Sequence, residues 1–268
     1  MSTLDCSWLT LWFLLEINTI SFLLILIKRR RYVFGERVVK YFLFQAITSV
    51  FLFLRLRYKY WADSISAILV YIKLGIFPFH IWFIRIVGGL DPVKLILLRT
   101  TQKILPFRLY QILELRYFDQ FLLIIRLVGG ALYARSQIKL IRIVGASGVY
   151  STSWIILYFN NVGSRGWVYV ALYFFLTRSF VLILVSFNYW RKKNIYLSLS
   201  QLISVLLVLL LSAFPPSPLF FFKIILLSRL FKIKFLLILA ICLLIDPLIM
   251  YIYINLLINF WIKHISNY

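Results

Sequence analysis

The chain reads as a succession of apolar runs, each about as long as a membrane crossing, separated by short and mostly basic stretches. A helix needs roughly 20 apolar residues to cross a hydrocarbon core of about 30 Å. On that measure the pattern predicts about nine helices, over 6–27, 38–54, 63–84, 93–113, 118–134, 138–158, 166–187, 195–228 and 235–261. The apolar runs are continuous, not alternating, which favours helices over the strands of a barrel. Lipid also demands that every backbone polar group find its partner inside the segment. The expected fold class is all-α: a polytopic helical bundle with no soluble domain, linker or low-complexity segment.

Two of the predicted helices are interrupted. The third contains Gly75 and Pro78, and the eighth contains Pro215-Pro216-Ser217-Pro218. Proline removes a backbone donor and clashes with the preceding turn. Broken helices at membrane depth are tolerated where they face protein or water, and in transporters a pair of them flags the ion path. A kink that serves packing alone is the plainer alternative at either place.

Composition supports the membrane class. Of 268 residues 63% are hydrophobic and only 14% charged, with a mean hydropathy of +0.95. Ordinary soluble domains are about 45–50% apolar and about 25% charged, so a soluble enzyme, a disordered tail and a secreted disulfide scaffold are excluded. The formal net charge is +22. In a soluble protein that balance would suggest nucleic acid. Here the bases cluster between apolar runs, as in Lys28-Arg29-Arg30-Arg31 and Arg191-Lys192-Lys193, which suits anionic lipid headgroups and acidic neighbours. No nucleic-acid partner is expected. Cys6 and Cys242 lie far apart in apolar runs, with no ligand spacing around them, so no metal, haem or cluster is expected. The start carries Asp5 and no base before Lys28, unlike a secretory signal or a transit peptide. The first run is therefore read as a permanent span. A modest excess of Lys and Arg on alternate faces points the N-terminus outward and the C-terminus inward.

An ionisable group at membrane depth is a functional hypothesis by default. Eight stand out besides His80: the acids Glu16 and Asp246, and the bases Lys73, Arg99, Lys103, Arg126, Arg178 and Lys223. A lysine in a low dielectric can give up its proton, whereas arginine stays charged. Lysines biased by neighbouring charges can therefore pass protons. Glu16 is either part of such a row or a structural partner of an arginine. Arg99 and Lys103 are four apart on one predicted helix face; Arg99 either keeps Lys103 poised or points to a neighbouring subunit. His80 either steadies the broken helix or relays protons. With six bases and two acids, internal pairing cannot neutralise all of them, which implies partner subunits or water.

The stretch Lys73–Phe107, KLGIFPFHIWFIRIVGGLDPVKLILLRTTQKILPF, carries Lys73, Leu74, Gly75, Pro78, Phe79, His80, Trp82, Gly89, Leu90, Gln102, Lys103 and Pro106. In this it resembles NADH dehydrogenase subunit 2 of mitochondrial respiratory complex I. Leu15-Glu16, Lys40-Tyr41-Phe42 with Gln45-Ala46, Ser147, Val149 and Trp154, and Pro215-Pro216 with Phe222-Lys223 extend the likeness. The sister antiporter-like subunits carry a K-A-H-x-E-A-P run that is absent here.

The resemblance implies an antiporter-like fold, shortened at both ends, and a proton path through a central row of charged residues. Glu16 and Lys73 would be the coupled acid–base pair, Lys103 the central relay and Lys223 the far lysine. His80, Arg99, Pro78, Pro215 and Pro216 would support them. No cofactor is expected in this subunit; NADH, FMN, iron–sulfur clusters and ubiquinone would belong to others. The implied partners are membrane-arm subunits, including a neighbouring antiporter-like one, and lipids such as cardiolipin. The implied location is the mitochondrial inner membrane, with organelle encoding. This chain departs from the family in having Phe83-Ile84-Arg85 after Trp82, Ser151 in place of a histidine, and no glycine near Leu219-Phe220. A stand-alone cation/proton antiporter and a structural subunit without a proton path are the rival readings.

Overall fold

The computed structural model describes residues 8–27, 32–54, 62–112, 119–137, 140–191, 206–207, 209–215, 217–233 and 235–265. Cys6, the Lys28–Arg31 cluster, Lys192, Lys193 and Pro216 lie outside the described residues. Every described element is helical, and no strand occurs among the described residues.

The helices are α1 (Trp8–Ile27), α2 (Tyr32–Leu54), α3 (Ala62–Leu74), α4 (Ile81–Val87), α5 (Pro92–Arg99), α6 (Thr101–Ile112), α7 (Asp119–Arg135), α8 (Leu140–Val162), α9 (Gly166–Arg191), α10 (Pro218–Lys232) and α11 (Leu236–Ile265). A single 3₁₀ turn, Gly163–Arg165, joins α8 to α9. Residues 206–207 and 209–211 are also helical. Two described helices, α1 and α11, are long and apolar enough to cross a membrane by length and composition.

The expected helix over 63–84 is broken into α3 and α4, as Gly75 and Pro78 predict. The expected helix over 93–113 is interrupted as well, which its sequence did not signal. The backbone at Thr100 (φ −112°, ψ −80°) leaves the helical region and separates α5 from α6. The hydroxyls of Thr100 and Thr101 donate to the carbonyls of Ile96 and Leu97. A side-chain donor thus sits on the helix ladder at the interruption, one recognised cause of a local bend.

The chain divides into two compact units, Met1–Arg126 and Leu127–Tyr268. In the first, α2 packs on α1, α3 and α4, and α6 packs on α1, α3 and α5. The indole of Trp12 donates to the Ser49 carbonyl at 2.9 Å and ties α1 to α2. In the second, α10 packs on α8, α9 and α11. Both units leave large apolar side chains exposed: Ile17, Leu24 and Phe44 in the first, Phe175, Leu237 and Leu244 in the second. Among the mostly apolar buried side chains stand charged ones, Lys73, Arg99, Lys103, Arg126 and Lys223. Apolar groups on the outside with charges held inside suit a hydrocarbon surround.

Candidate functional site

Each broken helix delivers a lysine to the interior. In the first unit α3 ends in a Schellman motif: Ile76 N–H donates to the Tyr71 carbonyl at 3.2 Å and Gly75 N–H to the Ile72 carbonyl at 3.1 Å. Gly75 holds φ +64°, and a Cβ there would stand 2.9 Å from the Cβ of Phe83, so both conformation and space require glycine. The Trp82 indole donates to the Ile72 carbonyl at 2.9 Å, adding a partner at the helix end. Lys73 lies in that last turn of α3, beside the negative end of the helix dipole. His80 follows the break, with Nδ1 3.2 Å from the Pro78 carbonyl and its ring stacked on Phe77.

Lys73 and Lys103 line one cavity, with Tyr41, Gln45, Trp82 and Gln102 among its other walls. The charge of Glu16 acts on Lys73, and the charge of Arg99 acts on Lys103. Among the described residues neither Lys73 Nζ nor Glu16 Oε1 has a hydrogen-bond partner. Lys103 Nζ stands 4.6 Å over the Phe83 ring, a cation–π contact. Arg99 and Lys103 are thus electrostatically linked even though the helix between them is interrupted.

A neutral network braces the cavity. The Gln102 amide donates to Asn18 Oδ1 at 3.0 Å and to the Asn18 carbonyl at 3.1 Å. Its oxygen accepts from the Tyr41 hydroxyl at 2.9 Å. Gln102 therefore joins α1, α2 and α6 one residue before Lys103. Sequence reasoning gave Gln102 a place in the motif but no role. Asn18, two residues from Glu16 in an apolar run, was the available signal.

Arg126 is 1% exposed, and its guanidinium lies 3.5 Å over the Tyr71 ring. This cation–π contact gives the buried arginine an aromatic partner. Arg178 lies on an exposed face of α9.

In the second unit the break has the same form. Phe214 N–H donates to the Leu209 carbonyl at 3.2 Å and Ala213 N–H to Leu210 at 3.3 Å, with Ala213 at φ +58°. Pro215 follows, exposed. Ser217 then caps α10, its hydroxyl oxygen accepting from Phe220 N–H at 3.2 Å, and Pro218 takes the first helical position. Lys223 lies in the next turn and is buried. Its Nζ donates to Asp246 Oδ1 of α11 at 2.6 Å. The same oxygen accepts from the Tyr150 hydroxyl of α8. Asp246 was legible as an acid at depth; its pairing with Lys223 was not. Lys223 also stands 4.7 Å over the Trp154 ring.

No family model matches the chain. Chain 2 of NADH-ubiquinone oxidoreductase from Anopheles gambiae is 29% identical over 93% of this chain and 79% of its own length. The chain 2 of Squalus acanthias is 28% identical over 87% of this chain and 73% of its own. That of Artemia franciscana reaches 33% over 56% and 49%. This chain is similar to NADH-ubiquinone oxidoreductase chain 2. A chain of respiratory complex I from Thermus thermophilus with bound aureothin superposes with a TM-score of 0.79 over 94% of this chain, at 18% identity. That likeness is one of fold. This chain spans 65% of the Thermus chain's length, just under two thirds. Ser151 lines the cavity beside Lys223.

Proposed function

We propose that this chain is a core membrane-arm subunit of respiratory complex I. It crosses the mitochondrial inner membrane several times and takes part in proton translocation through Glu16, Lys73, Lys103 and Lys223. The observation that carries the reading is the cavity of the first unit. Two buried lysines share its wall beside a broken helix end, and an acid acts on one of them. The similarity to chain 2 along most of the chain supports the assignment to the complex. NADH, FMN, iron–sulfur clusters and ubiquinone belong to other subunits. Arg178, exposed on α9, fits an acidic group of a neighbouring subunit.

The physics of the step is electrostatic. Two opposite charges about 4 Å apart in an effective dielectric near 20 attract by about 4 kcal/mol. A tenfold change in proton occupancy corresponds to about 1.4 kcal/mol. A movement of Glu16 toward or away from Lys73 therefore suffices to switch a lysine on the same cavity. With Glu16 withdrawn, the Lys73 charge acts across the cavity and drives a proton off Lys103. The Arg99 charge, which also acts on Lys103, adds to the push. His80 and the prolines Pro78 and Pro215 support the two breaks that bring the lysines inward.

The test is Lys103→Met in the complex reconstituted in liposomes. Fewer protons per electron are expected, with electron transfer still coupled to the remaining pumps. An unchanged ratio would overturn the reading. The purified chain alone is expected to exchange no sodium for protons in liposomes; exchange without partners would favour a stand-alone antiporter.

A further inference from the structure

We propose that Lys223, Asp246 and Tyr150 form a proton-exchange triad closed within this chain, with Asp246 as the proton acceptor of Lys223. The proposal rests on the proton-translocation reading and assigns the acid that the far lysine works against.

Three observations carry it. First, one carboxylate oxygen, Asp246 Oδ1, accepts from both Lys223 Nζ and the Tyr150 hydroxyl. Among the described residues nothing donates to Oδ2, so the carboxylate keeps open lone pairs. Second, Lys223 and Tyr150 line a cavity with room for a water molecule, whose wall includes Ser147, Ser151 and Ser212. Each of these serine hydroxyls donates to a carbonyl three residues earlier: Val144, Gly148 and Leu209. Their oxygens are thereby left as acceptors facing any proton-bearing water. Third, the Trp154 and Tyr150 rings lie 4.7 Å and 5.6 Å from Nζ, cation–π contacts that hold the lysine head beside the carboxylate.

The exchange balances without any co-reactant. An Nζ–H bond of Lys223 breaks and an Oδ1–H bond of Asp246 forms, so ammonium and carboxylate become amine and acid with no change in total charge. A charge-neutral transfer of this kind avoids the cost of moving net charge in a dry interior. The proton then leaves to a cavity water, and the amine takes the next one. Tyr150 holds Oδ1 toward the lysine while the proton moves and is a positioning residue.

The experiment uses the assembled complex in liposomes and reads protons pumped per electron pair. Asp246→Asn is expected to lose the same share of pumping as Lys223→Met, and Tyr150→Phe a smaller share. Asp246→Glu is expected to keep pumping. A merely structural pair would lower the amount of assembled complex and leave the ratio per electron unchanged, which would overturn the triad. Infrared difference spectra between resting and energised complex provide a second measure, and it stands even where Asp246→Asn fails to assemble. A carboxyl C=O band is expected in the wild type, shifted in Asp246→Glu; the absence of any such change in the wild type would also overturn the proposal. Loss of pumping in Lys103→Met with a normal ratio in Asp246→Asn would sink the triad alone. Normal ratios in both Lys103→Met and Lys223→Met would sink the underlying reading.

Discussion

The two helix breaks use the same backbone solution and present their lysines in opposite electrical settings. Both end a helix with a left-handed residue and the paired Schellman hydrogen bonds, and both place prolines just beyond. At the first break the left-handed residue is Gly75; at the second it is Ala213. At the first, the lysine precedes the break, and its ammonium has no hydrogen-bond partner among the described residues. At the second, the lysine follows the break and donates to a carboxylate at 2.6 Å. One lysine feels an acid that it does not hydrogen-bond, and the other is held by a direct one. The backbone motif thus positions a cation without deciding what the cation does.

This contrast can be broken most severely at the second site. Asp246→Asn leaves the Lys223 ammonium buried without its counter-charge, and breaking a buried pair costs about 3–5 kcal/mol. Unfolding of the purified chain in detergent is expected to show a loss of that size. Lys73→Met removes an ammonium with no direct partner and is expected to change stability by no more than about 1 kcal/mol on the scale of ordinary substitutions. Equal losses from the two would mean that the two lysines share one electrical setting.

Gly75→Ala comes next. A left-handed alanine costs roughly 1–2 kcal/mol, and its Cβ would meet the Phe83 Cβ, adding overpacking of about 1–3 kcal/mol. A loss of about 2–4 kcal/mol, read by the same unfolding measurement, is expected. Gln102→Leu should cost less. It removes the amide that joins Asn18 and Tyr41 and leaves buried polar groups unsatisfied, at about 1–3 kcal/mol. The smallest effect sharpens the comparison in the opposite direction. Ala213→Gly relieves the left-handed strain and gives back about 0.4–1 kcal/mol through the more flexible unfolded chain. A net gain of up to about 1 kcal/mol is expected; a clear loss would mean that the Ala213 methyl is a packing contact.

The residues that broke the helices were mostly readable, and the exceptions are instructive. Gly75, Pro78 and Pro218 announce their positions because glycine alone adopts positive φ freely and proline alone lacks the donor. Thr100 interrupts a helix with neither signal, and Ala213 occupies a conformation its type rarely adopts. In both places the neighbouring structure overrides a weak local preference. The cavity lysines were readable as charges in apolar runs. The neutral bracing by Asn18, Gln102 and Tyr41 was not, because three ordinary polar residues from three helices meet only after packing.

From its sequence alone the chain is committed to a helical membrane architecture, to breaks at Gly75–Pro78 and around Pro218, and to an inventory of ionisable groups at depth. Those properties depend on residue type and on the length of apolar runs, which are local. The partners of the charges were decided by tertiary structure. Lys223 meets Asp246 across a helix turnaround, and Arg126 meets the Tyr71 ring. With 3.6 residues per turn, a one-residue change in how a helix is rotated swings a side chain by about 100°. That rotation is set by the packing of many apolar side chains together, and no short motif contains it.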